Sequence, residues 1–156
     1  MVEYVHYGHK DFSKELFQPI KNREMFSKPT GGFWASRANA LYGWKDWCKD
    51  NDFGDCREDN CFRFSVSENA NILTINSVDD LKGLPKAKQP VPVESSLWDN
   101  YLDFEQLLLN GIDAAEVNIS SNRDLYMVLY GWDCDSILIM NPDIICVKEG
   151  LKIWED

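Results

Sequence analysis

The chain has 156 residues, of which 44% are hydrophobic and 13% aromatic, and its formal charge is −10 at pH 7. This length predicts a single domain over residues 1–156 that buries about 70% of the surface its unfolded form would expose. The negative charge argues against direct binding to a nucleic-acid duplex, because an acidic surface repels phosphates.

The first half of the chain predicts short strands separated by helices and turns. Aromatic and β-branched residues cluster or alternate in the predicted strands, whereas apolar residues recur at spacings of three and four in an amphipathic helix. In chain order, the predicted elements are a strand over 4–7, a helix over 11–20, a turn over 28–32, a strand over 33–36, a helix over 38–49, a loop over 51–60 and a strand over 62–66. Asp11 or Ser13 caps the first helix, and Pro19 shortens or bends it.

The second half predicts further strands and helices that follow one another without a regular order. In chain order, they are a strand over 71–75, a short helix after Ser77, an exposed crossover containing three prolines over 85–92, a helix over 102–109, a strand over 114–119, a helix or strand over 124–130, and strands over 136–140 and 144–147. Because the two types mix without regular βαβ alternation, we predict an α+β fold rather than a doubly wound α/β fold.

The cysteines and the N-terminus indicate the compartment. The cysteine count is odd, and the N-terminus has no basic segment followed by an apolar one, so no secretion signal is expected. We therefore predict free thiols in a reducing compartment, and a cytoplasmic location. No apolar run approaches the roughly 20 residues that a membrane span needs, so no membrane partner is expected. The cysteines are Cys48, Cys56, Cys61, Cys134 and Cys146.

The cysteines and histidines do not form a recognisable metal or catalytic motif. Cys56 and Cys61 are separated by four residues, and no pair of Cys-x-x-Cys motifs exists. A structural zinc site is therefore a minor alternative to free thiols, and we predict no metal site. A cysteine nucleophile would need a histidine partner, for which the chain offers only His6 and His9, and nothing in their spacing favours it.

Two features near the N-terminus favour contact with a ligand. His6 stands in the first predicted strand with Gly8 just after it, so the backbone can approach a ligand while the imidazole donates or accepts a hydrogen bond. Several aromatic residues follow that could stack on a flat ring, although core packing is the commoner reason for any single one of them. This aromatic set is Tyr7, Phe33, Trp34, Tyr42, Trp44 and Trp47.

The order of these segments resembles that of ADP-ribosyltransferase-like domains. Those domains open with a strand that bears His-Gly or Arg, followed by a helix and then by a strand with the pattern Gly-x-aromatic-Ala/Ser. The similar segments are Tyr4-Val5-His6-Tyr7-Gly8, Gly32-Phe33-Trp34-Ala35-Ser36, Asn71–Ser77 with Asp79–Leu81, Asp103–Leu107 leading into Gly111–Val117, and Asp135–Ile145. Together these short motifs extend over nearly the whole chain.

The resemblance implies two small, mostly antiparallel sheets that form a cleft, flanked by short helices, with NAD⁺ bound in the cleft as a substrate. His6 would contact the adenosine ribose, and Gly8 would let the nicotinamide amide meet the backbone. Phe33 and Trp34 would lie beside the nicotinamide ring, with Ser36 near the ribose. The cofactor-binding set implied in this way is His6, Tyr7, Gly8, Gly32, Phe33, Trp34 and Ser36.

The implied reaction is loss of nicotinamide through an oxocarbenium-like transition state, which needs a carboxylate near the nicotinamide ribose. In the family this carboxylate belongs to a Glu that opens the late strand, whereas the late strand of this chain opens with Asp135-Ser136. Either Asp135 or Glu116 on the neighbouring strand would take that role, or catalysis is lost. The catalytic candidates are therefore Asp135 and Glu116.

Two functions from different classes follow from these observations. The first is an ADP-ribosyltransferase-like enzyme that modifies a protein or nucleic-acid target with ADP-ribose from NAD⁺. The second is a non-catalytic acidic interaction protein that blocks a basic or nucleic-acid-binding partner, which the charge of −10 favours. Both functions imply a macromolecular partner or target, and the first also implies binding of NAD⁺.

Overall fold

The computed structural model describes residues 1–54, 56–89 and 101–147. The strands in this part of the chain are β1 (Tyr4–Tyr7), β2 (Phe33–Arg37), β3 (Cys61–Val66), β4 (Ile72–Ile75), β5 (Ala114–Val117), β6 (Ser136–Ile139) and β7 (Ile145–Cys146). The α-helices are α1 (Trp44–Asp50), α2 (Phe104–Leu109) and α3 (Arg123–Val128). Single turns of 3₁₀ helix occur at Lys14–Leu16, Glu58–Asn60, Val78–Leu81 and Pro142–Ile144.

The described strands form one mixed sheet in the order β4-β5-β6-β2-β1-β3-β7, so the fold class is α+β, as predicted. Only β4 and β5 are parallel, and every other neighbouring pair is antiparallel. The prediction of two separate sheets is not confirmed, because β1 and β2 pair. That joint is short: Tyr4 stands opposite Arg37 and Val5 opposite Ser36. On its other edge, β2 pairs with β6 through its first three residues.

Each face of the sheet carries its own apolar cluster, because side chains alternate along every strand. We call the side that packs against α2 and α3 the helix face, and the opposite side the aromatic face. The helix face carries Trp34, Ser36, Ala115, Val117 and Leu138. The aromatic face carries Tyr4, His6, Phe33, Arg37, Phe62, Phe64 and Glu116. Both faces therefore bury apolar side chains, and the aromatic face also holds the charged side chains of Arg37 and Glu116.

The helices are shorter than the sequence patterns predict. The predicted helix over 11–20 is wrong, since that segment forms only the turn Lys14–Leu16. The side chain of Ser13 makes no capping hydrogen bond, and Pro19 cannot donate to a continuing helix. The helix predicted over 38–49 begins only at Trp44. The predicted crossover over 85–92 is described only as far as residue 89, and its last three residues lie outside the described part of the chain.

The prediction of five free cysteines is wrong for two of them. Cys48 in α1 is joined to Cys56 in a disulfide, because the helix and the loop after it bring their Cα atoms to 6.0 Å, within the usual range for a bridge. Cys61, Cys134 and Cys146 are free. Disulfides are typical of oxidising compartments, so a cytoplasmic location stays a prediction. In the described residues, no helix is both long and apolar enough to cross a membrane.

Candidate functional site

A buried ion pair joins the ends of β2 and β5 on the aromatic face. Arg37 donates two hydrogen bonds to Glu116, from Nε to Oε1 at 2.6 Å and from Nη2 to Oε2 at 2.8 Å. The side chain of Glu116 is 4% exposed and that of Arg37 is 40% exposed. The pair therefore has one buried partner and one that reaches the surface, and its two-point contact fixes the orientation of both groups.

Strand alternation explains why these two charges meet. Glu116 lies between Ala115 and Val117, whose side chains point to the helix face. Ile137 of β6 stands opposite Glu116 on one side and opposite Ala35 on the other. Arg37, two residues beyond Ala35, extends past the start of β6 on the same face. Its long side chain can therefore cross the end of β6 and reach the carboxylate of Glu116.

The hydroxyl of Tyr4 belongs to the same polar group. Burial and, after it, the charge of Glu116 raise the pKa of Tyr4 to about 12. The hydrogen bonds to Glu116 raise the pKa of Arg37 above its already high value. At neutral pH the phenol is therefore protonated and the guanidinium is charged. The Arg37–Glu116 pair has no net charge and presents both donors and acceptors to the space above it.

The second candidate carboxylate, Asp135, immediately precedes β6 and is also buried. Its Oδ1 accepts a hydrogen bond from the backbone N–H of Ser120 at 2.9 Å, and its Oδ2 accepts one from the Ser120 hydroxyl at 2.6 Å. The backbone N–H of Asp135 donates to the carbonyl of Tyr42 at 2.8 Å. Within the described part of the chain its carboxylate forms no ion pair. Asp135 is therefore fixed in place by Ser120 and by the backbone of Tyr42.

Two cavities lie on either side of the Arg37–Glu116 pair, and both residues line each of them. The first, of about 260 Å³, is polar and brings together the two catalytic candidates; its other polar walls are Asn39, Asn118, Ser120 and Ser121. The second, of about 460 Å³, has a mixed lining. Besides the ion pair and Tyr4, its apolar walls are Met1, Val2, Val66 and Ile72, and its polar walls are Ser67, Glu68 and Thr74. The curl of the sheet brings β3 and the edge strand β4 together around this second cavity.

His6 lies where β1 and β2 diverge beyond their short joint. Its Nδ1 is 2.7 Å from the carbonyl oxygen of Trp34, which can only accept, so Nδ1 carries the proton and donates. Its Nε2 therefore accepts a hydrogen bond from Nδ1 of His9 at 3.0 Å. Burial lowers the pKa of His6, which favours this neutral form. Both nitrogens of His6 thus bond within the protein, and His6 lines neither cavity.

The rings of Phe33 and Trp34 lie on opposite faces of the sheet, as expected for consecutive residues of a strand. The ring of Phe33 stacks on His6, with centroids 4.2 Å apart, and packs against Phe62 at 5.5 Å. The ring of Trp34 meets Trp132 edge-on, with centroids 4.8 Å apart. Each ring thus already packs on another aromatic side chain while staying partly exposed, and the structure does not bring the two together as one stacking surface.

The remaining residues implied by the family resemblance have backbone and packing contacts. The Ser36 hydroxyl accepts a hydrogen bond from the backbone N–H of Trp44 at 2.9 Å, which fastens the start of α1 to β2. Tyr7 pairs with β3 and is only half-buried. Gly8 has a φ of 112° and donates to the loop before β3. Gly32 has a φ of 70° and packs closely on the helix face. Their predicted roles toward NAD⁺ stay predictions.

The comparisons with other proteins and the search for metal ligands both bear on the site. Among residues 1–54, 56–89 and 101–147, no three His, Cys, Asp or Glu side chains are grouped so that they could hold a metal ion. No known protein family, curated protein or solved structure matches the chain. The site must therefore be interpreted from its own geometry.

Sequence reasoning missed two residues of this site. Arg37 was left outside the predicted strand, which ended one residue earlier, although strict alternation from Phe33 already places it on the same face as Phe33. A lone Glu in the apolar segment around Glu116 also signals a partner, because a buried carboxylate is costly unless it is paired or hydrogen-bonded. Ser120 has no comparable signal, since its role depends on a turn that brings it back to Asp135.

Proposed function

We propose that this chain is an ADP-ribosyltransferase-like domain that binds NAD⁺ in the two cavities beside the Arg37–Glu116 pair. The observation that carries the proposal is that both sequence-predicted carboxylates, Glu116 and Asp135, are buried and line the same polar cavity of about 260 Å³. They are 19 residues apart along the chain and were predicted from the sequence as alternatives. A shared cavity gives them complementary roles in one site.

The cavity has the size and polarity for a ribose. A volume of about 260 Å³ equals that of about nine water molecules in the liquid. Its carboxylate and amide oxygens can accept hydrogen bonds from sugar hydroxyls, and its amide and hydroxyl groups can donate. Glu116, neutralised by Arg37, is suited to orient the ribose hydroxyls. Asp135, which lacks a cationic partner among the described residues, is suited to stabilise positive charge that develops on the sugar ring.

The proposal is tested by ligand binding and by release of nicotinamide. NAD⁺ at about millimolar concentration is expected to raise the thermal midpoint, because a ligand that binds only the folded state stabilises it. Asp135→Asn is expected to lower the rate of nicotinamide release by roughly a hundredfold with little effect on binding. Glu116→Gln is expected to weaken binding. Asp133→Asn is the matched control, since Asp133 pairs with Lys28 and lines neither cavity.

Three results would count against this function. The absence of any shift of the thermal midpoint with NAD⁺ would exclude the binding site. Equal rates of nicotinamide release in the wild type, Asp135→Asn and Asp133→Asn would exclude Asp135 as the catalytic carboxylate. Binding without release in the wild type would reduce the proposal to a non-catalytic NAD⁺-binding domain. His6→Ala, measured in parallel, tests the implied contact of His6 with the adenosine ribose, which is an independent question because His6 lines neither cavity.

The charge of −10 favours a second candidate function, an acidic protein that occupies a basic partner in place of nucleic acid. This function does not need the cavities, so it is separable from the first. Release of DNA from protamine by the wild type and by Asp135→Asn alike, at low salt but not at high salt, would support it. If the chain leaves the protamine–DNA complex intact at low salt, this second function is excluded for basic partners of that type.

A further inference from the structure

Strand β4 is an outer strand of the sheet, and part of its backbone has no partner in the described part of the chain. The carbonyl oxygens of Asn71 and Ile75 accept hydrogen bonds from N–H groups at the two ends of β5, at 2.8 Å and 3.0 Å. Because backbone groups alternate between the two sides of a strand, those of Leu73 also face β5, whereas those of Ile72 and Thr74 face away from it. We call the N–H and C=O groups of Ile72 and Thr74 the free edge.

The free edge is short, because a carboxylate occupies the backbone at each end of β4. Asp113 Oδ2 accepts a hydrogen bond from the N–H of Asn71 at 2.8 Å, and Asp80 Oδ2 accepts one from the N–H of Asn76, also at 2.8 Å. An antiparallel segment would bond to the four groups between these ends through two of its residues, with a third residue between them. A short extended peptide therefore fits this edge.

The second cavity provides open space beside the free edge. Ile72 and Thr74 line it, together with Val66 and Glu68. In a strand added to β4, the two residues that bond to the free edge carry their side chains on the same face as Ile72 and Thr74, which is the aromatic face. These side chains would stand at the second cavity, close to Glu68. The residue between them would stand beside Leu73, which is half-buried on the helix face.

The charges around the free edge favour a basic segment. The carboxylates of Glu68, Asp80 and Asp113 form no ion pair with any described residue. Arg37 and Lys82 are paired with other carboxylates, so the amino group of Met1 is the remaining cation of the cavity lining. A second copy of the chain would bring the same three carboxylates to this edge. Repulsion between like charges therefore disfavours the pairing of two β4 strands, whereas a basic partner is attracted.

We propose that the free edge of β4 binds an extended basic segment of another protein, which adds to the sheet as an antiparallel strand. Hydrogen bonds to the backbone supply the contact, and the side chains on the two faces supply the specificity. The expected pattern is basic-apolar-basic, with the basic residues near Glu68 and the apolar residue beside Leu73. This inference does not depend on NAD⁺. It also goes beyond the acidic-protein function, which needs only the net charge and assigns no surface.

The experiment measures the binding of three peptides in the absence of NAD⁺. The first is Lys-Val-Lys-Val-Lys with both ends blocked, the second has Glu in place of Lys, and the third is the lysine peptide with every backbone nitrogen methylated. We expect the lysine peptide to bind at least about tenfold more tightly than the glutamate peptide, because several partly exposed ion pairs are gained. The methylated peptide keeps the charge but cannot donate to the free edge, so we expect at least about tenfold weaker binding.

Variants of the chain locate the contact. Thr74→Pro removes one outward N–H without affecting the hydrogen bonds to β5, and proline is tolerated at such a position of an edge strand. We expect it to weaken binding of the lysine peptide about fivefold. Thr74→Val keeps the N–H and is the matched control. Glu68→Gln is expected to weaken binding about threefold, and Glu15→Gln, an exposed Glu that lines neither cavity, is its control.

Hydrogen exchange and the oligomeric state complete the test. Bound lysine peptide should slow exchange most at the amides of Ile72 and Thr74, because only these gain a partner in β4. Equal binding of the methylated and unmethylated peptides, or equal binding by Thr74→Pro and Thr74→Val, would overturn strand addition. If Thr74→Pro does not fold, the methylated peptide decides alone. A dimer of the free chain that Thr74→Pro dissociates would show that a second copy occupies the edge, and would also overturn the proposal.

Discussion

The Arg37–Glu116 pair predicts that its two members make unequal contributions to stability. Arg37→Met leaves the stem of the side chain in place and removes the charge, so the carboxylate of Glu116, 4% exposed, stays buried without a cation. Breaking a buried pair in this way costs about 3–5 kcal/mol, and we expect about 3 kcal/mol because Tyr4 can still donate to the carboxylate. Glu116→Gln instead leaves Arg37, which is 40% exposed and can be hydrated, so we expect about 1 kcal/mol.

The measurement is urea unfolding of the wild type, both single variants and the double variant at neutral pH. We expect a coupling free energy of about 2 kcal/mol between the two positions, because the double variant leaves neither a buried carboxylate nor a guanidinium without its partner. The loss in Arg37→Met should also shrink as the pH is lowered, since a buried carboxylate without a cation takes up a proton more readily. A larger loss for Glu116→Gln than for Arg37→Met, or a coupling below about 0.5 kcal/mol, would refute this account of the pair.

Two further predictions concern residues of the sequence motifs. Burial lowers the pKa of His6 in the folded state below 6.5, so the unfolded chain binds the proton first and the free energy of unfolding falls as the pH is lowered through about 6.5. His6→Asn should flatten the pH dependence of the unfolding free energy between about pH 7.5 and pH 5.5. An unchanged slope in this variant would contradict the prediction. Gly32→Ala should cost at least about 2 kcal/mol in urea unfolding, because the added Cβ would lie 2.6 Å from Leu138 and 2.7 Å from Ile20. Gly83→Ala is its control, with a similar φ of 75° and open space around it, and an equal loss in both variants would show that backbone strain alone decides.

Strands were predictable from the sequence because their signal is local. Residues 62–66 alternate strictly, and the structure extends that strand by only one residue, to Cys61. Asp103 and Asn122, which cap α2 and α3, are residue types favoured at that position, although the sequence patterns did not assign them. The prediction of a helix over 11–20 was wrong because apolar spacing alone does not form a helix. Ser13 makes no capping hydrogen bond, and Pro19 cannot donate within a helix.

The parts of the site that were not predictable depend on contacts between distant segments. Glu116 and Asp135 could be named as alternatives, but only the antiparallel pairing of β5 and β6 places both beside one cavity. Arg37 reaches Glu116 because β6 begins only at Ser136, so that no residue of β6 lies between the two side chains. The disulfide between Cys48 and Cys56 likewise depends on the end of α1, which was predicted one residue short and without a bridge.

The short joint between β1 and β2 has a consequence for how the sheet moves. In the described strands, β1 and β2 are in strand register at only two residue pairs, with the hydrogen bond of His6 to the Trp34 carbonyl and the packing of Phe33 on Phe62 beside them. We therefore expect opening of the sheet to begin between β1 and β2. Arg37 and Tyr4 form one of those two pairs, and both line the second cavity. A ligand bound in the cavities would therefore stabilise the contact between β1 and β2. Its binding would slow amide hydrogen exchange in the strands on both sides of that contact.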